Sequence, residues 1–530
     1  MQHFIYRNTT IEHLFGNDNV CYSGYDDILT IDIVADMFIW FYLLPIKSDR
    51  ESIVAEIESY TKSIRFIYGN IPANKPFLIF TLQEFYGVTN RNDDFSVELA
   101  INAFNADIVA FAKQHKNVKI ISISDFTRNY TNEQWIDWKY YFTSKIYINP
   151  HLAKPFKNWF AKQVDAILGI RKKCLILDLD NTLWGGILGE DGIEGIRIGG
   201  DYPGNAFSQF QQSLLELTNA GIILAVCSKN NEQDVLDAWQ KNPFLILREE
   251  HFATYKINWD NKADNIKAIA QTLNIGLESI VFVDDNPTER ELIKQVLPMV
   301  AVPEFPVQPY LLPMFFEQLQ NDYFSVYSIT EEDKTKTEQY KANAQRESMQ
   351  HNFTNITDYL ASLNINITIQ KADDFNIPRI AQLTQKTNQF NLTTKRYTES
   401  NIHEFIHEGG LVFCINVKDI FGDNGIVGVI ILKKIDEVSF EIDSLLLSCR
   451  VLGKGIEKAF VLYILNILKK QSVRRVSAQY FPTNKNVQVK DFYERIGFML
   501  NNEKSESKSY TIILEDNDFI IEPYLKIEIK

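Results

Sequence analysis

The sequence predicts an α/β chain of three domains, with a doubly wound parallel sheet in the middle. Two observations carry this. Apolar runs at Cys174–Leu177, Ile222–Cys227 and Ser279–Val283 alternate with helical segments at Ala206–Ala220 and Asp264–Leu273, and each run ends in polar residues. The length of 530 residues also suits three domains at roughly 100–200 residues each. The texture of the chain places them at 1–165, 170–310 and 330–530.

The first domain reads as a small α/β unit. Lys75–Phe80 and Val118–Ile123 have the composition of buried strands, and the stretch Val97–His115 between them is helical in pattern. An aromatic-rich stretch, Trp135–Trp159, leads into the second domain. Four prolines in Pro303–Pro313 mark its far boundary. The third domain opens with a charged helix, Glu331–Glu347. Strands follow at Asn364–Gln370, Leu411–Val417, Gly425–Lys433, Ser439–Leu447 and Arg475–Phe481, with helices at Asn376–Thr387, Gly453–Lys469 and Val487–Ile496. This is an α+β pattern.

Composition narrows the function classes. Hydrophobic content of 45% and charged content of 23% are those of a globular chain with a full core. The run Met37–Leu44 is far shorter than the roughly 20 residues of a membrane span. The N-terminus lacks a basic segment followed by an apolar one, so no secretion signal is expected. A net charge of −14 argues against nucleic acid as the main partner. The five cysteines are scattered without metal-type pairing, which fits a reducing, cytoplasmic setting.

Four motifs in the middle domain suggest phosphoryl transfer. Asp178 and Asp180, in Asp178-Leu179-Asp180-Asn181-Thr182, follow an apolar strand. Asp178 is suited to attack phosphorus and form an aspartyl-phosphate, and Asp180 to protonate the leaving oxygen and then deprotonate water. Ser228 ends the second strand, where its hydroxyl and nearby backbone N–H groups can bind phosphate. Lys262 offers a point charge to the phosphate. Asp284 and Asp285 end the third strand. Asp284 is suited to ligate Mg²⁺ with Asp178, and Asp285 to hold a metal-bound water or an outer group; hard oxygen donors suit that ion. The expected metal set is Asp178, Asp180, Asp284 and Asp285, and the expected phosphate set is Thr182, Ser228, Lys229, Asn230 and Lys262. Taken singly, each motif also reads as a loop or a helix cap; their order and their places at strand ends favour the site.

These motifs resemble those of haloacid dehalogenase (HAD) phosphatases. The resemblance implies a HAD-type Rossmann-like sheet, and an Asp at position 180 is what it associates with phosphatases. Spacings of 50 residues from Asp178 to Ser228 and 34 from there to Lys262 leave no room for a large cap. Gly185–Gly200 reads as a small hairpin with Glu190-Asp191-Gly192 at its tip. An uncapped site is open to a large substrate or to another domain.

In the third domain, Arg450, Gly453 and Gly455 form an R-x-x-G-x-G loop between a strand and a helix. It resembles the pyrophosphate loop of GNAT acyltransferases, where glycines allow close backbone approach and the helix N-terminus favours an anion. Asn486 and Phe492-Tyr493-Glu494-Arg495-Ile496-Gly497-Phe498 resemble the second half of that fold. The resemblance implies acyl-CoA or the phosphopantetheine arm of a carrier protein as ligand. Tyr493 reads as proton donor to a departing thiolate or as an aromatic packed on the sheet. Cys449 reads as an acyl acceptor or a buried packing thiol, and Cys227 as sheet packing. The polar run Arg379–Arg396 either borders the acceptor site or is a solvated helix end.

The order of parts resembles the FkbH-like family. The resemblance rests on Lys173–Gly186, Cys227-Ser228-Lys229-Asn230, Val283–Pro287, Lys386–Phe390 and Ser448-Cys449-Arg450, and covers about residues 150–500. It implies a bifunctional enzyme that dephosphorylates a phosphoglyceryl unit and loads glyceryl as a thioester on an acyl carrier protein. It also implies an SGNH-hydrolase-like N-terminal domain, although no Gly-Asp-Ser nucleophile motif is present. A different reading is a HAD phosphatase fused to an ordinary acyl-CoA N- or O-acyltransferase in surface-glycan or secondary-metabolite synthesis. Under a third, only the HAD domain is catalytic and the GNAT-like domain is a docking module.

Overall fold

The structure is a computed structural model. It describes residues 2–530 except 33, 45, 47–48, 74, 85–93, 328, 330–335, 351–352, 354, 388, 449–450, 505–506 and 516, and only the backbone of 336–337, 344, 347–348 and 350. The chain divides into two compact units, Met1–Ile167 and Leu168–Lys530.

The first unit is a parallel sheet of β1 (His3–Arg7), β2 (Val20–Tyr25), β3 (Met37–Phe41), β4 (Phe77–Phe80) and β5 (Val118–Ile121), in the order β2-β1-β3-β4-β5. Much of the apolar run Met37–Leu44 is thus β3, buried at every position. Alternate residues feed two cores: Phe4, Tyr6, Phe38 and Trp40 on one face, and Ile5, Met37, Ile39 and Phe41 on the other. At the carboxyl end of β1, Asn8 donates to Leu43 O at 2.7 Å and accepts from Leu43 N at 3.0 Å, tying β1 to the segment after β3.

The second unit holds two sheets. The first contains β6 (Cys174–Leu177), β7 (Ile223–Ser228), β8 (Thr254–Ile257) and β9 (Ile280–Val283), all parallel in the order β8-β7-β6-β9. β6 is central and wholly buried, as a continuous apolar run in a covered parallel sheet should be. Helices cover both faces, Gly204–Asn219 and Leu312–Leu319 on one and Lys262–Thr272 and Pro287–Val296 on the other. This is the doubly wound architecture expected for the middle domain. Gly185–Gly200 is only partly a hairpin: one antiparallel bridge joins Gly185 to Arg197, and two helical turns within Leu188–Gly195, broken at Gly192, replace the tip.

The other sheet is mixed and nine-stranded. β10 (Asn366–Lys371), β12 (Leu411–Asp419), β13 (Gly422–Asp436), β14 (Ser439–Leu447), β15 (Arg475–Tyr480), β16 (Met499–Lys504), β17 (Ser507–Ile513) and β18 (Lys526–Ile529) run in the order β16-β17-β15-β14-β13-β12-β10-β18, and β11 (Phe390–Asn391) pairs with β14. β14 and β15 are paired only over Ser439–Ile442 and Arg475–Ala478, and beyond that they fork. The helix Ile456–Lys470 fills the core on one face. This is the expected GNAT-like layout.

A helix at Lys336–Gln350 links the two sheets of this unit. Tyr340 is buried with Ile266 and Ile269 beneath the first sheet. Arg346, two turns further on, makes a bidentate pair with Asp419 at 2.7 Å on both arms, with both side chains almost wholly out of solvent. The start of the charged helix expected from Glu331 lies outside the described residues.

Candidate active site

Strand register brings the first site together. Leu177 at the end of β6 is level with Val283 at the end of β9 and with Val226 in β7. Asp178 and Asp284 therefore leave adjacent strands side by side, with Ser228 two residues beyond Val226. Lys262 arrives as the first residue of the helix Lys262–Thr272, capped by Asn261, which accepts from Ala263 N at 2.7 Å. The helix after Asp284-Asp285 starts with Pro287 and is capped by Asn286.

At the centre is a buried ion cluster. Lys262 Nζ lies 2.6 Å from Asp284 Oδ2 and 2.9 Å from Asp178 Oδ1. The second contact is an ion pair without hydrogen-bond alignment, and among the described residues Asp178 Oδ1 has no other polar partner. One carboxylate oxygen each from Asp178, Asp284 and Asp285 lie within 4.8 Å of one another. Burial on its own lowers the Lys262 pKa, but the two carboxylates outweigh it and hold the ammonium protonated. Burial, then the Asp178 charge, pushes the Asp284 carboxyl up. The same two causes, with Asp284 added, raise Asp285 to about 6. Mutual repulsion of this kind is what a bound divalent cation relieves.

Asp180 is not in the carboxylate cluster, where it was expected as a metal ligand. Its Oδ1 accepts from Trp184 Nε1 at 3.0 Å and from Leu188 N at 3.1 Å, and its Oδ2 accepts from Asn230 Nδ2 at 2.9 Å. Burial raises its pKa against these hydrogen bonds, the direction a general acid needs.

The expected phosphate set divides. Ser228 is buried beside the cluster, and Asn230 Nδ2 donates to its Oγ at 3.3 Å. Asn230 thus orients Asp180 and Ser228. Thr182 is wholly buried, and its hydroxyl accepts from Asp285 N at 3.1 Å, holding the Asp285 loop. Lys229 turns outward to Glu289 at 2.6 Å, because it follows the inward-facing Ser228 by one residue. Arg290 had no place in the motif reading. It is buried and donates to Asp284 O at 2.8 Å and Asp285 O at 2.6 Å, clamping the loop that carries both carboxylates. A cation one turn into the following helix is its only trace in the sequence.

In the mixed sheet, the fork between β14 and β15 is already bridged. Leu392 N donates to Leu445 O at 3.2 Å, and Phe481 N donates to Leu392 O at 2.9 Å. Asn486, expected to bind cofactor, is instead fully buried and spent on this bridge. It donates to Asn391 O and Phe481 O, both at 2.9 Å, and accepts from Thr483 N at 2.7 Å. Tyr493 is 1% exposed among Phe492, Phe498 and Tyr510, and its hydroxyl has no hydrogen-bond partner among the described residues. Burial raises its pKa.

Gly453 and Gly455 have φ of 75° and 76°, left-handed values that favour glycine. Gly455 precedes the helix Ile456–Lys470, and a Cβ there would meet Tyr524 Oη at 2.8 Å. Cys449 and Arg450 lie outside the described residues. Cys227 is buried in β7, its thiol pushed up to about 12 chiefly by burial. In the polar run, Asp443 accepts from Lys395 Nζ at 2.6 Å and from Tyr397 Oη at 2.5 Å.

Comparison with known proteins assigns classes to two segments of the chain. Residues 173–309 match the NLI interacting factor-like phosphatase family, and residues 377–498 match the acetyltransferase (GNAT) family. No curated protein matches the chain. Among solved structures, the N-terminal part of the protein BF1531 from Bacteroides fragilis, containing a phosphatase domain complexed with Mg, is 27% identical with a TM-score of 0.54; the match covers 62% of this chain and 95% of that one. The ribosomal-protein-S18-alanine N-acetyltransferase from Escherichia coli matches at 13% identity and a TM-score of 0.23, over 28% of this chain and 94% of its own. The spermidine N-acetyltransferase SpeG from Vibrio cholerae matches at 15% identity and 0.23, over 28% and 94%. The chain is therefore enzymatic in class, a HAD-like phosphatase domain followed by a GNAT acyltransferase domain.

Proposed function

We propose that the chain is a Mg²⁺-dependent phosphatase and glyceryl transferase of the FkbH-like type. On this reading it acts in the cytoplasm, removes phosphate from a phosphorylated three-carbon acyl unit, and loads glyceryl as a thioester on an acyl carrier protein. Segments 1–165, 170–310 and 330–530 act as its three domains. The observation that carries the reading is the lysine-bridged cluster of Asp178, Asp284 and Asp285 in one compact unit with a GNAT-like fork.

The residues present fit Mg²⁺: three carboxylates converge as hard oxygen donors, with the Lys262 ammonium between Asp178 and Asp284. When bound, the ion supplies charge neutralisation at the phosphate. Asp178 attacks phosphorus while the ester oxygen departs with a proton from Asp180. Asp180 then takes a proton from water as that water attacks phosphorus, which releases phosphate and restores the Asp178 carboxylate. Lys262 and Ser228 hold the phosphate oxygens, and Asn230 and Trp184 aim Asp180. In the GNAT-like domain, Gly453 and Gly455 allow close approach of a phosphate-bearing arm.

A second reading, a phosphatase fused to an acyl-CoA acyltransferase, draws support from the acetyltransferase match over 377–498. The two differ in the acceptor. Incubating the protein with Mg²⁺, a phosphopantetheinylated carrier protein and 1,3-bisphosphoglycerate, and weighing the carrier intact, separates them. A glyceryl adduct that becomes phosphoglyceryl, or is lost, with Asp178→Asn supports the first. Phosphatase activity without an adduct on the cognate carrier favours the second.

A further inference from the structure

One large side chain at the carboxyl end of the phosphatase sheet stands in the open. Trp259 is 74% exposed, and among the described residues no ring stacks on it and no acceptor takes its indole N–H. The backbone on both sides is pinned to the site. Asn258 N donates to Ser228 O at 3.2 Å. Asn258 and Asn265 exchange amide hydrogen bonds at 2.7 and 3.3 Å. Asp260 N donates to Asn258 Oδ1 at 3.0 Å, and Asn261 caps the helix that Lys262 begins. Trp259 therefore lies between the phosphate-side serine and the cluster lysine, on a loop tied at both ends.

A single exposed apolar residue needs no explanation by its position on a surface alone. An indole carried on a loop whose backbone is bonded to the end of the phosphate-side strand is different. The buried polar groups of the site suit phosphate and metal, and none of them offers an apolar surface to the organic part of a phosphoester. An indole face packs well against methylenes and amide planes, and its rigidity limits the entropy lost on contact.

We propose that Trp259 determines specificity as the wall against which the organic arm of the phosphatase substrate lies. The substrate class is a phosphoacyl thioester on a phosphopantetheine-type arm, an extended chain of methylenes and amides. This rests on the carrier-protein reading above.

The test measures phosphate release by the full chain with Mg²⁺ from two substrates with the same phosphate, a phosphoglyceryl thioester on a phosphopantetheinylated carrier protein and free 3-phosphoglycerate. Trp259→Ala should raise KM for the carrier thioester about 10-fold with kcat within about 2-fold, and leave both constants for the free acid unchanged. Trp259→Phe should restore most of the lost affinity. Equal losses on both substrates, or no loss on either, overturn the proposal. Turnover of the free acid but not of the carrier thioester by the unaltered protein overturns the carrier reading, and this inference with it.

Discussion

Lys262 Nζ lies 2.6 Å from Asp284 Oδ2, and Asp284 has no solvent exposure. With Asp178 and Asp285 alongside, three carboxylates face one ammonium. At neutral pH the excess negative charge is what a divalent cation neutralises, and the lysine holds the site together without one.

Lys262→Met should therefore be costly in Mg²⁺-free buffer. Removing one partner from a buried ion pair costs about 3–5 kcal/mol, because the other charge is left uncompensated. Urea unfolding should show that loss, and Mg²⁺ should recover part of it. A variant as stable as the parent without Mg²⁺ would show that the two aspartates are protonated there.

Asp285 gives a signed pH dependence. Its carboxyl rises from 3.8 to about 6 in the folded site, so between these values the folded state binds more protons than the unfolded one. Its contribution to stability is present below the lower value and is lost as pH rises through about 6. Mg²⁺ competes with that proton. The thermal shift on adding Mg²⁺ should be larger at pH 7 than at pH 5, and an equal shift would remove Asp285 from the metal site.

Arg290 should matter without touching substrate. It holds the carbonyls of Asp284 and Asp285, and loss of such outer support typically lowers metal affinity about 10–100-fold. Titration calorimetry of Arg290→Ala with Mg²⁺ reads this directly. Unchanged affinity would mean that Asn286 and Thr182 suffice to hold the loop.

Asn486 should control the fork rather than a ligand. Asn486→Ala leaves the Asn391 and Phe481 carbonyls short of a donor, at a cost of about 1–3 kcal/mol. Hydrogen exchange at the Phe481 and Leu392 amides should accelerate. If it does not, β11 closes the fork without help from this side chain.

Much of this is legible in the sequence alone. Apolar runs ending in Asp178, Ser228 and Asp284 are buried parallel strands, and their ends form the site, because a covered parallel sheet leaves only its strand ends polar. The strand Thr254–Ile257 and the helix Glu232–Lys241 escape the sequence reading: the strand is only four residues long, with Thr254 and Lys256 breaking its apolar pattern, and it is mostly half-buried in the sheet. In the first unit, β1 and β2 mix polar and aromatic residues, and β3 was visible only as an apolar run.

The sequence by itself determined the chemical types of the phosphatase residues, which depend on local order of strand, carboxylate and turn, and its motifs carried the resemblance to the two enzyme classes. Only the tertiary structure decided what each side chain meets. The register of β6 with β7 and β9 set Asp178 beside Asp284, turned Asp180 toward Trp184 and Asn230, and sent Lys229 out to Glu289. It also spent Asn486 on the fork, through Asn391 far back in the chain, while Arg290 folds back on a loop it follows by only a few residues. The long-range outcomes depend on packing between segments far apart in the chain, and alternation along a strand or the turn of a helix then reverses the facing of immediate neighbours.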